Sequence, residues 1–124
     1  YHNHGWEYEG DMVLYRALRD HAGELSLCLD LGWIEKAGAD PLAVLREVGN
    51  RVSYVHVRDW GTDDFVDLGE GTTDLAALVA GLSPVLGDDG WLVVEYEYGD
   101  QEMERYERAF SCLRALGVGE DGAS

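Results

Sequence analysis

The order of elements predicts an α/β protein with a parallel sheet, and the side-chain pattern of its strands points to a piece of a (β/α)₈ barrel. Short apolar runs alternate with helical patterns along the 124 residues, which is the signature of right-handed β-α units. Each strand pattern has one apolar face. Its other face becomes ionisable toward the C-terminal end, where a barrel of this kind places its chemistry.

Residues 1–4 read as the end of a strand. Residues 11–22, DMVLYRALRDHA, read as a helix with Asp11 as N-cap. Residues 25–30 form the next strand, with Leu25, Leu27 and Leu29 on one face and Ser26, Cys28 and Asp30 on the other. Asp40 followed by Pro41 opens a helix that Gly49 and Asn50 stop. Residues 52–59 are a full strand, with Val55 and Val57 opposite His56. Asp74 caps a helix over 75–86, which Pro84 bends or shortens. Residues 91–98 are the last strand, with Leu92, Val94 and Tyr96 opposite Val93, Glu95 and Glu97. A helix over 101–116 carries Tyr106, Ala109, Phe110, Leu113 and Leu116 on one face.

A flavodoxin-like open sheet satisfies the same element order. No glycine-rich phosphate loop follows the first strand, which weakens a nucleotide-binding version of it. A buried parallel strand is normally apolar on both faces. The polar ends seen here favour the barrel.

Composition sets further bounds. The formal charge is −16, with 9 Lys plus Arg against 25 Asp plus Glu. Sequence-independent nucleic-acid binding needs basic residues to displace phosphate counterions, so that role is excluded. No stretch approaches the roughly 20 apolar residues of a membrane span, and no signal peptide is recognisable. Cys28 and Cys112 match no zinc or redox spacing. Cys28 reads as a buried free thiol, and a reducing cytoplasm fits. The sequence begins at Tyr1, without methionine, directly at a motif-like run. That suggests a fragment, or a gene that starts inside a larger fold.

His2, Asp30, His56 and Glu95 stand at four strand ends, 28, 26 and 39 residues apart. A β-α unit takes about 30 residues, so one such group recurs per unit at matching depth. Two imidazoles and two carboxylates suit one divalent ion such as Mn²⁺, Co²⁺, Zn²⁺ or Fe²⁺. Mg²⁺ fits less well, because it prefers oxygen and keeps its water. Taken singly, each residue has an ordinary explanation: a hydrogen-bonded strand histidine, a capping Asp30, a solvated Glu95. Their register is what argues for a site. Asp59 could orient the ring of His56, provided the chain turns after the strand.

YHNHGWEY, CLDLGW with AGADP, RVSYVHVRD, LGEGTTD and WLVVEYE together resemble, in order, the motifs of sugar isomerase/epimerase-like proteins in the xylose isomerase-like superfamily. The resemblance runs from Tyr1 to about Leu116. It implies the C-terminal half of a (β/α)₈ barrel, with strands five to eight in residues 1–118 and a disordered tail over 119–124. It implies that Asp30, His56 and Glu95 take ligand positions. His2 takes a position that many members fill with glutamate. Arg58 stands where lysine is common, and Trp33 where histidine is often found.

The resemblance also implies chemistry. The epimerases of this superfamily use two metal-bound glutamates on opposite faces of the substrate carbon, and His2 replaces one of them here. One-base chemistry remains. Glu95 would take a proton next to the carbonyl of a keto-sugar or inosose, leading to isomerisation, dehydration or elimination. His4 or Glu7 would supply the second proton transfer, and Arg58, Glu70 and Trp33 would meet the sugar or polyol. The alternative is a non-catalytic half-barrel kept as an interaction or vestigial module. Half a barrel implies a missing N-terminal half or a homodimer to cover its inner face. An apurinic-site nuclease of the same superfamily is disfavoured by the charge and by a set of only four histidines: His2, His4, His21 and His56.

Overall fold

The computed structural model describes residues 1–87, 90–97, 99–100 and 102–119. Its sheet has three parallel strands: β1 (Leu27–Asp30), β2 (Val52–Val57) and β5 (Trp91–Val94), in the order β1-β2-β5. The expected first strand is reduced to a parallel bridge between His2 and Cys28. It is held by the Tyr1 amino group on the Ser26 carbonyl at 2.7 Å and by the Cys28 N–H on the Tyr1 carbonyl at 2.8 Å. The four segments therefore lie side by side in chain order. An open doubly wound sheet reverses its order at a switch point, and none occurs among the described residues. Sequential parallel neighbours are what a barrel wall requires.

The helices are α1 (Val13–His21), α2 (Leu31–Lys36), α3 (Pro41–Val48), α4 (Leu75–Leu86) and α5 (Met103–Ala115). Leu29, Leu31, Ile34, Leu45, Val48, Val55, Val57, Leu78 and Leu82 make the core between sheet and helices. The expected alternation holds: Val55 and Val57 are fully buried, while His56 between them turns to the other side.

Two caps match the sequence reading. Asp40 accepts the Leu42 N–H at 2.9 Å with Pro41 following, and Asp74 accepts the Ala77 N–H at 2.9 Å. The helix after Asp74 runs through Pro84 to Leu86 without shortening. Asp11 is not a cap. The chain leaves a 3₁₀ turn, Gly5–Tyr8, through Gly10 at φ 57° and Met12 at φ 56°, so Met12 takes the cap position and Asp11 falls outside the helix.

Three elements differ from expectation. Helix α2 starts immediately after β1, in a stretch to which the sequence assigns no element, and buries Leu31 and Ile34 completely. The strand expected over 52–59 ends at Val57. Asp59–Trp60 (β3) then pairs antiparallel with Phe65–Val66 (β4). On α5, Ala109 and Leu113 are buried but Phe110 is 61% exposed, because it sits one position past the buried stripe. Tyr98, Gln101 and residues 120–124, which the last strand, last helix and tail were expected to include, lie outside the described residues.

Apolar side chains remain uncovered at both edges. Trp6 and Leu14 are exposed near Tyr1, and Trp91 and Met103 at the β5 side. A concavity lined by Tyr1, Trp6, Leu14, Leu18 and His21 opens at the first edge. No helix among the described residues is long and apolar enough to cross a membrane.

Candidate metal centre

The register of the sheet delivers the site. Asp30 pairs with His56 across β1 and β2, and His56 with Val93 across β2 and β5. Glu95 follows two residues later, on the same side as Val93. Asn3, a residue the sequence reading passed over, holds the first segment in place. Its side chain accepts the Asp30 N–H at 2.8 Å and donates to the Asp30 carbonyl at 3.1 Å, imitating one rung of a β-ladder. That sets His2 beside Asp30. The alternation of His2 and Asn3 to opposite faces was the available signal.

One donor atom each from His2, Asp30, His56 and Glu95 lies within 4.8 Å of all the others. His2 Nε2 is 3.1 Å from His56 Nδ1 and 3.5 Å from Asp30 Oδ2. His56 Nδ1 is 3.7 Å from Asp30 Oδ2 and 2.8 Å from Glu95 Oε2. Bonds of about 2.0–2.2 Å to a central ion place neighbouring donors roughly 3.0 Å apart in octahedral and 3.4 Å in tetrahedral geometry. The four spacings bracket both values, so the donor set fits an ion in size as well as in chemistry.

Each group carries a distinct electrostatic load. Burial pushes the Asp30 carboxyl up, but hydrogen bonding with His56, the Arg58 guanidinium and the Trp33 N–H outweigh it and hold the carboxyl below its ordinary range. Asp30 thus caps α2 with one oxygen, Oδ1, at 3.0 Å from the Trp33 N–H, and turns the other, Oδ2, to the cluster. His56 is pushed up to about 10, first by Asp30, then by Cys28 and Glu95, against burial. His2 is pushed down by burial, which outweighs the pull of Asp30. The pair thus shares one positive charge: the His56 imidazolium donates from Nδ1 toward Glu95 and the neutral His2.

Arg58 is buried and turned onto the carboxylates. Its Nε donates to Asp30 at 2.7 Å, and its Nη2 donates to Glu95 and, at 3.1 Å, to Glu97. Trp33 and Phe65 flank the guanidinium. Gly32 makes this fit: a Cβ there would stand 2.6 Å from the Arg58 Cβ and 2.9 Å from the Phe65 ring.

With this geometry in place, the family can be given. The family model of the xylose isomerase-like TIM barrel matches residues 2–116. The chain belongs to that family. Two solved structures of sugar phosphate isomerase/epimerases from Parabacteroides distasonis are similar in fold. One is 18% identical, with a TM-score of 0.67, over 97% of this chain and 45% of its own. The other is 17% identical, with a TM-score of 0.61, over 97% of this chain and 47% of its own. The chain thus spans about half the length of these two structures. No curated protein matches it.

The remaining residues singled out from the sequence fall in different places. His4 is exposed at the rim, its ring 5.1 Å from that of His2 and 6.1 Å from that of Trp33. Glu7 is fully buried, with the Tyr1 hydroxyl on one oxygen and the His4 N–H on the other at 2.9 Å. Trp33 is half-buried, and Glu70 is exposed on its loop.

Asp59 stands in β3, past the end of the strand that carries His56, and its carboxylate is engaged away from that ring. It is buried and accepts N–H bonds from Gly69 and Gly71, both at 2.9 Å, and from Thr73 at 3.1 Å. Its carboxylate organises the glycine loop. At Gly71 a Cβ would meet Asp59 Oδ1 at 2.1 Å, which leaves glycine as the residue that fits. Asp59→Ala strands three backbone donors, and stability should fall by at least about 2 kcal/mol. Urea denaturation checks this. A change below about 0.5 kcal/mol would mean the loop holds itself.

Proposed function

We propose that this chain carries the metal and base side of a sugar isomerase or lyase site, acting by proton abstraction next to the carbonyl of a keto-sugar or inosose. The observation that carries the reading is the cluster itself: four donors at coordination spacing, one of them open. The Asp30 side chain is 0% exposed and the Glu95 side chain 39% exposed. Asp30 can only hold, whereas Glu95 can also meet a substrate.

His2, Asp30, His56 and Glu95 would hold one divalent ion, with Mn²⁺, Co²⁺, Zn²⁺ or Fe²⁺ favoured over Mg²⁺. Such an ion supplies Lewis-acid polarisation of a carbonyl oxygen. Glu95 accepts the proton from the adjacent carbon. The electron pair left behind moves onto the carbonyl. The same carboxyl then returns the proton to the neighbouring carbon, or gives it to a departing hydroxyl as water. His4, at the rim, is placed for a second proton transfer. Glu7, with both oxygens engaged, is the weaker candidate. Trp33 Nε1 is buried and has no hydrogen-bond partner among the described residues, and a substrate hydroxyl would satisfy it. Glu70 would approach from the loop, and Arg58 would orient Glu95. Incubation of the metal-loaded protein with keto-sugars or inososes in deuterated water provides the test. Deuterium should enter at one carbon, and Glu95→Gln should abolish it. Efficient inversion at a single carbon with Glu95→Gln still active would refute the one-base mechanism.

The uncovered apolar edges support a second half-barrel as their cover, from further chain or from a second copy. A non-catalytic reading draws on Arg58, which neutralises Asp30 and Glu95 without an ion. A metal titration separates the two, since only the enzyme reading expects a site of roughly micromolar affinity or better.

The state of His56 gives this reading a pH signature. Its folded pKa is raised above the unfolded value, so it stabilises the metal-free chain fully below about 6.5. That stability is lost as pH rises through about 10. An ion must displace the same proton, so metal affinity should rise over that window by about tenfold per pH unit. Thermal melts and metal titrations at matched pH should move in opposite directions. Affinity independent of pH would exclude His56 as a ligand.

A further inference from the structure

We propose that the site has a second, deeper ligand position built on Cys28, so that thiophilic ions sit there and Mn²⁺ sits with the carboxylates. This rests on the metal reading above and deepens it. Cys28 lies two residues before Asp30 on β1, hence on the same face and one rung further into the barrel. Donor atoms of His2, Cys28 and His56 all lie within 4.8 Å of one another. Cys28 pairs by backbone with His2 on one side and with Tyr54 on the other. It is buried and free of any disulfide.

The two donor sets share both imidazoles and differ in the rest. One adds Asp30 and Glu95, the other a thiol. Because the shared imidazoles can serve one ion at a time, the two positions exclude each other. Arg58 lies against the oxygen set, on the ligand oxygens Asp30 Oδ2 and Glu95 Oε2. A soft thiolate with two imidazoles selects Zn²⁺, Co²⁺ or Cd²⁺, whereas carboxylate and imidazole suit Mn²⁺. Binding at the deep position replaces the S–H bond of Cys28 with a sulfur–metal bond, and the proton leaves to solvent.

The test uses the full chain carrying Cys112→Ser, so that Cys28 is the remaining thiol. Co²⁺ should give a thiolate-to-metal charge-transfer band in the near ultraviolet, and Cys28→Ser should remove it. Cys28→Ser should also weaken Zn²⁺ and Cd²⁺ at least tenfold while leaving Mn²⁺, followed by electron paramagnetic resonance, within about twofold. Cys28→Ala with an unchanged circular dichroism spectrum controls for folding. If Co²⁺ binds without the band, and Zn²⁺ affinity survives Cys28→Ser, the deep position is wrong while the four-ligand site stands. If neither Mn²⁺ nor Zn²⁺ binds, both fail together.

Discussion

Asp30→Ala should lower Mn²⁺ affinity by more than about 100-fold and destabilise the metal-free fold by about 3–5 kcal/mol. Two separate roles are lost at once. The buried Arg58 guanidinium loses its 2.7 Å partner, and a buried charge left short of partners is far costlier than a lost surface pair. Helix α2 also loses its N-cap, worth about 1 kcal/mol. Asp30→Asn separates the roles. Asparagine caps as well as aspartate, so α2 should persist, while the negative charge that faces His2, His56 and Arg58 is gone. Isothermal titration with Mn²⁺, beside urea denaturation, reads both quantities. Glu97→Ala is the contrast. Glu97 touches Arg58 at 3.1 Å but belongs to neither donor set, so its removal should change metal affinity only a few-fold. If Glu97→Ala abolishes binding and Asp30→Ala does not, the assignment of ligands is wrong.

The legible and illegible parts of this molecule divide on physical lines. Strand parity is local, with a period of two, so the inward turn of His56 and Glu95 and the burial of Val55 and Val57 could be read from the sequence. Caps are local too, and Asp40 and Asp74 behave as the sequence suggests. Helix α2 was missed because its six residues are too few to show a period, although Asp30 was noted as a residue that caps. Asp11 looked like a cap, yet the turn geometry at Gly10 and Met12 decided otherwise. The larger gap is the charge partner. Arg58 lies two residues beyond His56, and its place in the sequence suggests a substrate contact. Where a long side chain goes depends on what surrounds it. Here three carboxylates from β1 and the end of β5, and a gap left by Gly32, draw it inward. Likewise, Asn3 acts on the backbone of a residue 27 positions away, and no local pattern announces such a contact. Asp59 shows the converse case: parity sets it away from the His56 ring unless the chain turns, and although the chain turns after Val57, the three N–H groups it serves come from a loop.

Replacing Arg58 with methionine should produce an opposed pair of effects: a less stable metal-free chain that binds metal more tightly. The guanidinium lies 2% exposed against the Asp30 and Glu95 carboxylates. It supplies the positive charge that lets two acidic groups stand together in a buried place. Methionine fills much of the same volume between Gly32, Trp33 and Phe65 without charge. Asp30 and Glu95 then keep only the His56 imidazolium between them, and stability should fall by about 3–5 kcal/mol. The same change frees Asp30 Oδ2 and Glu95 Oε2, the oxygens that would face an ion, and removes a like charge from its vicinity. Affinity should rise by at least about tenfold, which is about 1.4 kcal/mol. Saturating metal should then recover much of the lost stability, because an ion that binds only the folded chain stabilises it by mass action. Thermal melts of wild type and Arg58→Met, each with and without Mn²⁺, give all four corners of the cycle. The decisive quantity is the metal-induced shift, which should be larger in the variant. A smaller shift would mean that Arg58 supports the ligands more than it competes for them, and that the carboxylates need its hydrogen bonds to hold their geometry.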